Sequence, residues 1–318
     1  IMPTSARKGF YGNARRRTNA AALNDQMTIW FDATTPSRPS VDQAPLRSLT
    51  PAPMASGLNG TEKPPAGPTG KADADNRTIE AMTIENLDQM LQQAFDVSTK
   101  VYQERGFQRR IGFGKKPATI SVDLANAWTR PGNPFSCDMD KMDNEIIPGM
   151  QRLLEAARAN GHVVVHVTTA YQNTNRDDPH TDMGQWHNKI PVEAVNLADE
   201  HLWAIDSRIA PVEGEWVMLK KRASSFSGTP LAGYLRTCGV DTILVTGVTA
   251  TACVRTTICD GIQDGFRTIA VRECIGDRVP GAVAWNLYDI DAKFADVESV
   301  DTCVNYLNNV DGWNNTPA

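Results

Sequence analysis

The sequence predicts an α/β fold: a mainly parallel, Rossmann-like sheet covered by helices on both faces, making three layers. Two observations carry this. Short, near-continuous apolar runs such as ATISV (118–122), VVVHVT (163–168) and TILVT (242–246) alternate with segments of helical period, and that alternation builds parallel sheets buried on both sides. The composition, 41% hydrophobic and 22% charged over 318 residues, is that of a chain with a sizeable core.

Residues 1–76 stand apart. Between Pro36 and Pro68 eight of 33 residues are proline, set among Ser, Thr, Gly and Ala. Such a stretch has too little apolar surface to offset its ordering entropy, so an extended or disordered N-terminal segment is expected. Residues 1–24 carry Arg7, Lys8, Arg15, Arg16 and Arg17 and no acid, which reads as a solvated tail or a basic interaction arm. The isoleucine ahead of Met2 reads as a remnant of cloning, and Met82 as an alternative start.

Residues 77–318 are expected to form the globular domain. Ile84, Leu87, Met90, Leu91, Phe95, Val101 and Tyr102 recur every three or four residues, one face of a helix ended by Gly106. Strand 118–122 follows, then a helix over 146–159 closed by Gly161, strand 163–168, strand 216–220 and a helix over 229–237. Strand 242–246, a helix over 253–264, strand 268–271 and a last helix over 297–307 complete the order.

A net charge of −5 argues against a dedicated nucleic-acid binder. No apolar run reaches the ~18–20 residues that span a bilayer, so a cytoplasmic protein with no membrane partner is expected. Six cysteines without a CxxC pair read as reduced thiols, most of them small buried hydrophobes. The P-loop, GxGxxG and GxSxG patterns are absent, which leaves nucleotide binding and a serine triad with little support.

In parallel sheets the reactive groups sit beyond the carboxyl ends of the strands, and three residues are placed there. Asp123 closes ATISV, Lys220 closes WVMLK, and Cys253 follows TILVTGV after a short turn, in the first turn of the next helix. There the backbone N–H groups and the helix dipole favour a thiolate and hold an oxyanion. Thiolate, carboxylate and cation together suit acyl transfer: the thiol attacks a carbonyl, the carboxylate carries the proton, and the cation keeps charge balance. Spacing alone also allows a helix cap, a surface charge and a core cysteine. Lys220 and Lys221 face opposite sides of a strand, and the alternation Trp216, Met218, Lys220 selects Lys220. Of the histidines, His162 and His166 flank a strand and read as packing residues. His180 and His187 lie in a polar loop with Asp177, Asp178 and Asp182, and no metal site is expected.

These blocks, ISVDLANAW, MLKKRASSFSGT and VTGVTATACVR, resemble the three signature blocks of the isochorismatase-like cysteine hydrolases. TDMGQWHNKIP, Asp206-Ser207-Arg208 and GDRVPGAVAWNLYDIDAKFADVES extend the resemblance from about Arg110 to Leu307. It implies a three-layer fold, a homotetramer, no cofactor, and roles for Cys253 as nucleophile, Asp123 as general base then acid, and Lys220 as electrostatic partner. It also implies a cis peptide at Val248–Thr249 that aims the Thr249 and Cys253 amides at the oxyanion, and Arg278 as the binder of a substrate carboxylate. Metal-dependent relatives carry an Asp/His cluster after the second strand, where this sequence has AYQNTN, so the metal-free branch is expected. The implied substrate is a small ureido or amide compound: N-carbamoylsarcosine first, then triuret or biuret, then maleamate. A binding protein of the same fold is the alternative from another class.

Overall fold

The computed structural model describes residues 84–172 and 182–315. The expected N-terminal segment 1–76, Met82, and Asp177, Asp178 and His180 lie outside the described residues. Six strands form one sheet: β1 (Pro117–Val122), β2 (Val163–Thr169), β3 (Trp216–Lys220), β4 (Thr242–Val248), β5 (Arg267–Gly276) and β6 (Asp296–Glu298). Their order is β3-β2-β1-β4-β5-β6 and every pair is parallel. β1 and β4 are buried along their whole length, as strands covered on both faces must be.

Numbering only the longer helices, α1 is Ile84–Glu104, α2 Ile147–Ala159, α3 Leu231–Thr237, α4 Arg255–Gln263, α5 Pro280–Lys293 and α6 Val300–Asn308. One face of the sheet packs under α2 and α6 with Leu153, Leu154, Cys303 and Tyr306. The other packs under α3, α4 and α5 with Leu231, Leu235, Ile258 and Ile290. This is the expected three-layer α/β/α arrangement. None of the described helices is long and apolar enough to cross a membrane.

Connections leave β1 in two directions: β2 lies on one side and β4 on the other. That is a switch point, where an open α/β sheet leaves a crevice beyond its strand ends. Asp123 and Cys253 follow the two strands that flank it. The strands approach closely there because Gly247 has no side chain: at φ +105° a Cβ would lie 1.9 Å from the Val122 carbonyl oxygen.

Several local expectations need correction. In α1, Phe95 is buried and stacks on Tyr288 of α5, with ring centroids 4.4 Å apart, but Met90 and Val101 are exposed. Consecutive helical residues are about 100° apart, so these two fall on a flank that α5 leaves uncovered. β5 runs to Gly276, well past residue 271. Helix α5 and strand β6 were not expected at all. The last helix starts at Val300, not 297, because Ser299 caps it by accepting from the Thr302 amide at 3.1 Å, while Val297 pairs with Ala270 in the sheet. Residues 250–254 form a π-turn ahead of α4, so Cys253 sits in an irregular turn and not a regular helix.

Candidate active site

Register brings the site together. Val122 pairs with Gly247, and Thr169 pairs with Lys220, so the ends of four strands β3, β2, β1 and β4 meet in one plane. Asp123 leaves β1 in the left-handed region, φ +53°, a conformation aspartate tolerates better than most residues. Its amide donates to the Val167 carbonyl at 2.7 Å, which ties the turn to β2.

The structure brings Asp123, Lys220 and Cys253 into contact, all three buried. Lys220 Nζ lies 2.8 Å from Asp123 Oδ2 and 3.3 Å from Cys253 Sγ. Its third partner is Thr169 Oγ1 at 2.7 Å, and Thr169 in turn donates to Asp123 Oδ1 at 2.8 Å. Lys221 points the other way, as strand alternation requires: its Nζ lies 2.8 Å from Asp182 Oδ2 and donates to the Ala170 carbonyl.

Burial opposes the Lys220 charge, but Asp123 and Cys253 outweigh it and hold the ammonium above its ordinary range. The Cys253 thiol is pushed up to about 12, first by burial, with Lys220 pulling it down and Asp123 raising it by charge and by a hydrogen bond. Burial and the neighbouring carboxylate thus disfavour the Cys253 thiolate.

The Val248–Thr249 peptide is cis, at the position expected. Thr249 is buried at the start of the nucleophile turn, and its carbonyl accepts from Ala252 and Val254. That turn is tied down by Asp277, a residue the sequence reading passed over. Its Oδ2 accepts from the Thr251 amide at 3.1 Å and from Thr251 Oγ1 at 2.7 Å.

Arg278, next in the chain, is not joined to the Asp-Lys-Cys group by a hydrogen bond or ion pair. Its Nη2 donates to the Phe135 carbonyl at 2.8 Å and its guanidinium lies over the Phe135 ring. Cys137 is close enough to both groups to feel their charges. Its thiol is pushed up to about 12 mainly by burial, and it feels Arg278, Asp277, Asp123 and Cys253. Tyr171, also buried, is raised by burial and feels Lys220, Cys253 and Asp123.

His162 Nε2 contacts the Leu307 carbonyl at 2.9 Å and His166 Nε2 contacts Glu215 at 3.0 Å, packing roles as expected. Among the described residues no group of three His, Cys, Asp or Glu side chains could hold a metal ion. The six cysteines are free; Cys137, Cys253, Cys274 and Cys303 are buried and Cys238 is exposed.

Residues 117–302 match the family model of the isochorismatase domain. N-carbamoylsarcosine amidase from Arthrobacter sp is 54% identical over 218 residues, covering 69% of this chain and 81% of that protein. Maleamate amidohydrolase from Pseudomonas putida is 38% identical over 205 residues, 64% of this chain and 92% of that one. A cysteine hydrolase from Pseudomonas syringae pv. phaseolicola shares the fold, with a TM-score of 0.56 at 22% identity over 64% of this chain and 98% of that one.

Proposed function

The chain belongs to the isochorismatase family, and from that premise we propose that it is a cysteine amidohydrolase cleaving the terminal carbamoyl C–N bond of a small ureido compound, N-carbamoylsarcosine above others. The observation that carries this is Lys220 Nζ placed 2.8 Å from Asp123 Oδ2 and 3.3 Å from Cys253 Sγ, with all three residues buried. The 54% identity to a carbamoylsarcosine amidase supports the substrate.

In this reading Asp123 takes the thiol proton as Cys253 attacks the carbamoyl carbon, and Lys220 balances the charge that develops on sulfur. The amides of Thr249 and Cys253 receive the oxyanion; one such donor lowers the barrier by about 2.7–4 kcal/mol. Ammonia departs with the proton held by Asp123, leaving an S-acyl cysteine. Asp123 then accepts a proton from water, which attacks the acyl carbon and releases the thiol. The product, an N-carboxy amine, loses carbon dioxide to give the amine. Arg278 would clamp the substrate carboxylate, since a guanidinium fork matches two coplanar oxygens. No step calls for a cofactor. The same proposal includes the homotetramer implied by the resemblance, which light scattering tests directly.

Maleamate is the second reading, favoured by the 38% identical maleamate amidohydrolase; it too offers an amide and a carboxylate. Triuret and biuret rank lower because they give Arg278 only carbonyl oxygens. Ammonia release from the four compounds, measured for the native protein and for Cys253→Ala, decides among them. Turnover confined to carbamoylsarcosine and lost in the variant is expected. Full activity of Cys253→Ala would defeat the cysteine mechanism, and turnover of maleamate alone would replace the substrate.

A further inference from the structure

We propose that Thr169 is a positioning residue of this site: its hydroxyl bridges Lys220 and Asp123 and holds the ammonium and the carboxylate in register with Cys253. The inference rests on the reading of Asp123 as the general base.

The argument is a count of donors and acceptors. An ammonium has three N–H donors and no acceptor, a carboxylate only accepts, and a hydroxyl has a single hydrogen. Lys220 Nζ has three partners, Thr169 Oγ1 at 2.7 Å, Asp123 Oδ2 at 2.8 Å and Cys253 Sγ at 3.3 Å, so its donors are fully assigned. Because Thr169 must accept from Lys220, its one hydrogen is free to go to Asp123 Oδ1, where it is found at 2.8 Å. The same lysine meets Asp123 Oδ2, so the Thr169 hydroxyl and the Lys220 ammonium between them hold both oxygens of the carboxylate beside Cys253.

The hydroxyl is well held. Thr169 ends β2 in register with Lys220 and is 3% exposed. Its neighbour Thr168 points to the opposite face and donates to the Trp203 carbonyl at 2.7 Å. One of this pair of adjacent threonines thus anchors the scaffold and the other faces the reacting groups. A threonine in a buried strand is unremarkable by residue type. What singles out Thr169 is that both its hydrogen bonds go to charged groups with no solvent to replace them.

Replacing Thr169 by valine keeps shape and removes only the hydroxyl, leaving a buried ammonium hydrogen and a carboxylate oxygen unpaired. Losing a hydrogen bond to a charged group corresponds to about a 10- to 100-fold effect. We expect Thr169→Val to lower kcat for carbamoylsarcosine by about that factor with KM changed less than about twofold. Thr169→Ser should restore kcat to within about threefold of native.

The experiment measures both variants beside Cys253→Ala on the four-compound panel. A Thr169→Val protein within threefold of native, while Cys253→Ala is inactive, overturns the role of Thr169 and leaves the cysteine mechanism standing. So does a Thr169→Ser protein as impaired as Thr169→Val, because a packing defect and not a missing hydroxyl would then be responsible. Native protein inert toward every compound, or active Cys253→Ala, overturns both readings together.

Discussion

Two aspartates sit fully buried within a few residues' reach of each other, Asp123 and Asp206, and each is paired with cations. Asp206 is saturated. Its Oδ1 accepts from the Arg130 guanidinium at 3.0 Å, from the Arg208 amide at 2.9 Å and from Arg208 Nε at 3.0 Å, and its Oδ2 from Arg208 Nη2 at 2.8 Å. Burial works against its charge, but the bonds from Arg208 and Thr129 outweigh burial and hold the carboxyl below its ordinary range. The Asp206 amide also donates to the Leu124 carbonyl at 3.0 Å, bracing the loop that follows Asp123. Asp123, by contrast, faces one lysine, one hydroxyl and a thiol. A buried acid held by four hydrogen bonds is a clamp; one held by fewer, beside a thiol, keeps acceptor capacity with which it can carry a proton.

The largest expected effect separates these roles by activity. Asp123→Asn should lower kcat by about a thousandfold or more, the scale of losing a general base, whereas Asp206→Asn should leave kcat within about tenfold. Equal losses in ammonia-release assays would erase the contrast.

Stability is the next measure. Lys220→Met strands the Asp123 carboxylate in a dry site, and breaking a buried pair this way costs about 3–5 kcal/mol. Adding Asp123→Asn to that variant should recover much of the loss, since the orphaned charge is then gone. Denaturant midpoints that fall further in the double variant would contradict this account.

A third test uses the thiol. With Cys253 pushed up to about 12 by burial and by Asp123, only a small thiolate fraction exists near neutrality. Iodoacetamide labelling of Cys253 should therefore rise about tenfold per pH unit up to about pH 9, with no plateau. Asp123→Asn should be labelled faster than native at the same pH, because the charge that opposes the thiolate is gone, even though turnover is lost. A plateau below pH 8, read by mass spectrometry of the Cys253 peptide, would show a thiolate already formed.

The smallest effect concerns acid. A carboxyl held below its unfolded value contributes stability that is complete above that value and is lost as pH falls through the folded one. Asp206 therefore protects the fold above about pH 4 and stops doing so in stronger acid. Asp206→Asn should flatten the acid limb of the stability curve by at most about 1.4 kcal/mol per pH unit, the linkage of one proton. An unchanged limb would mean that the Arg130–Asp206–Arg208 cluster is not what titrates.

The sequence was enough for whatever depends on near neighbours along the chain. Alternating apolar runs specified strands and helices, because the periods of 2 and 3.6 residues are local geometry. The same alternation put Lys220 inward and Lys221 outward. Asp123 and Cys253 were visible as reactive residues placed where buried strands stop. Helix α5 escaped because its segment carries no clean stripe of one period, and β6 because three residues are too few to show one. The covered flank of α1 depends on where α5 lies, which α1 does not encode.

Only the tertiary structure decided the working geometry. Thr169 is 46 residues from Asp123 and 51 from Lys220, and Asp277 is 26 from Thr251; each meets its partner because parallel register and strand order align distant ends. The raised Cys253 thiol was likewise out of reach of residue type, since it follows from how far the folded site buries the group. Short-range chemistry along the chain names the reacting groups. Their distances, free lone pairs and protonation are set by which far segments close around them, and that is a property of the packed sheet.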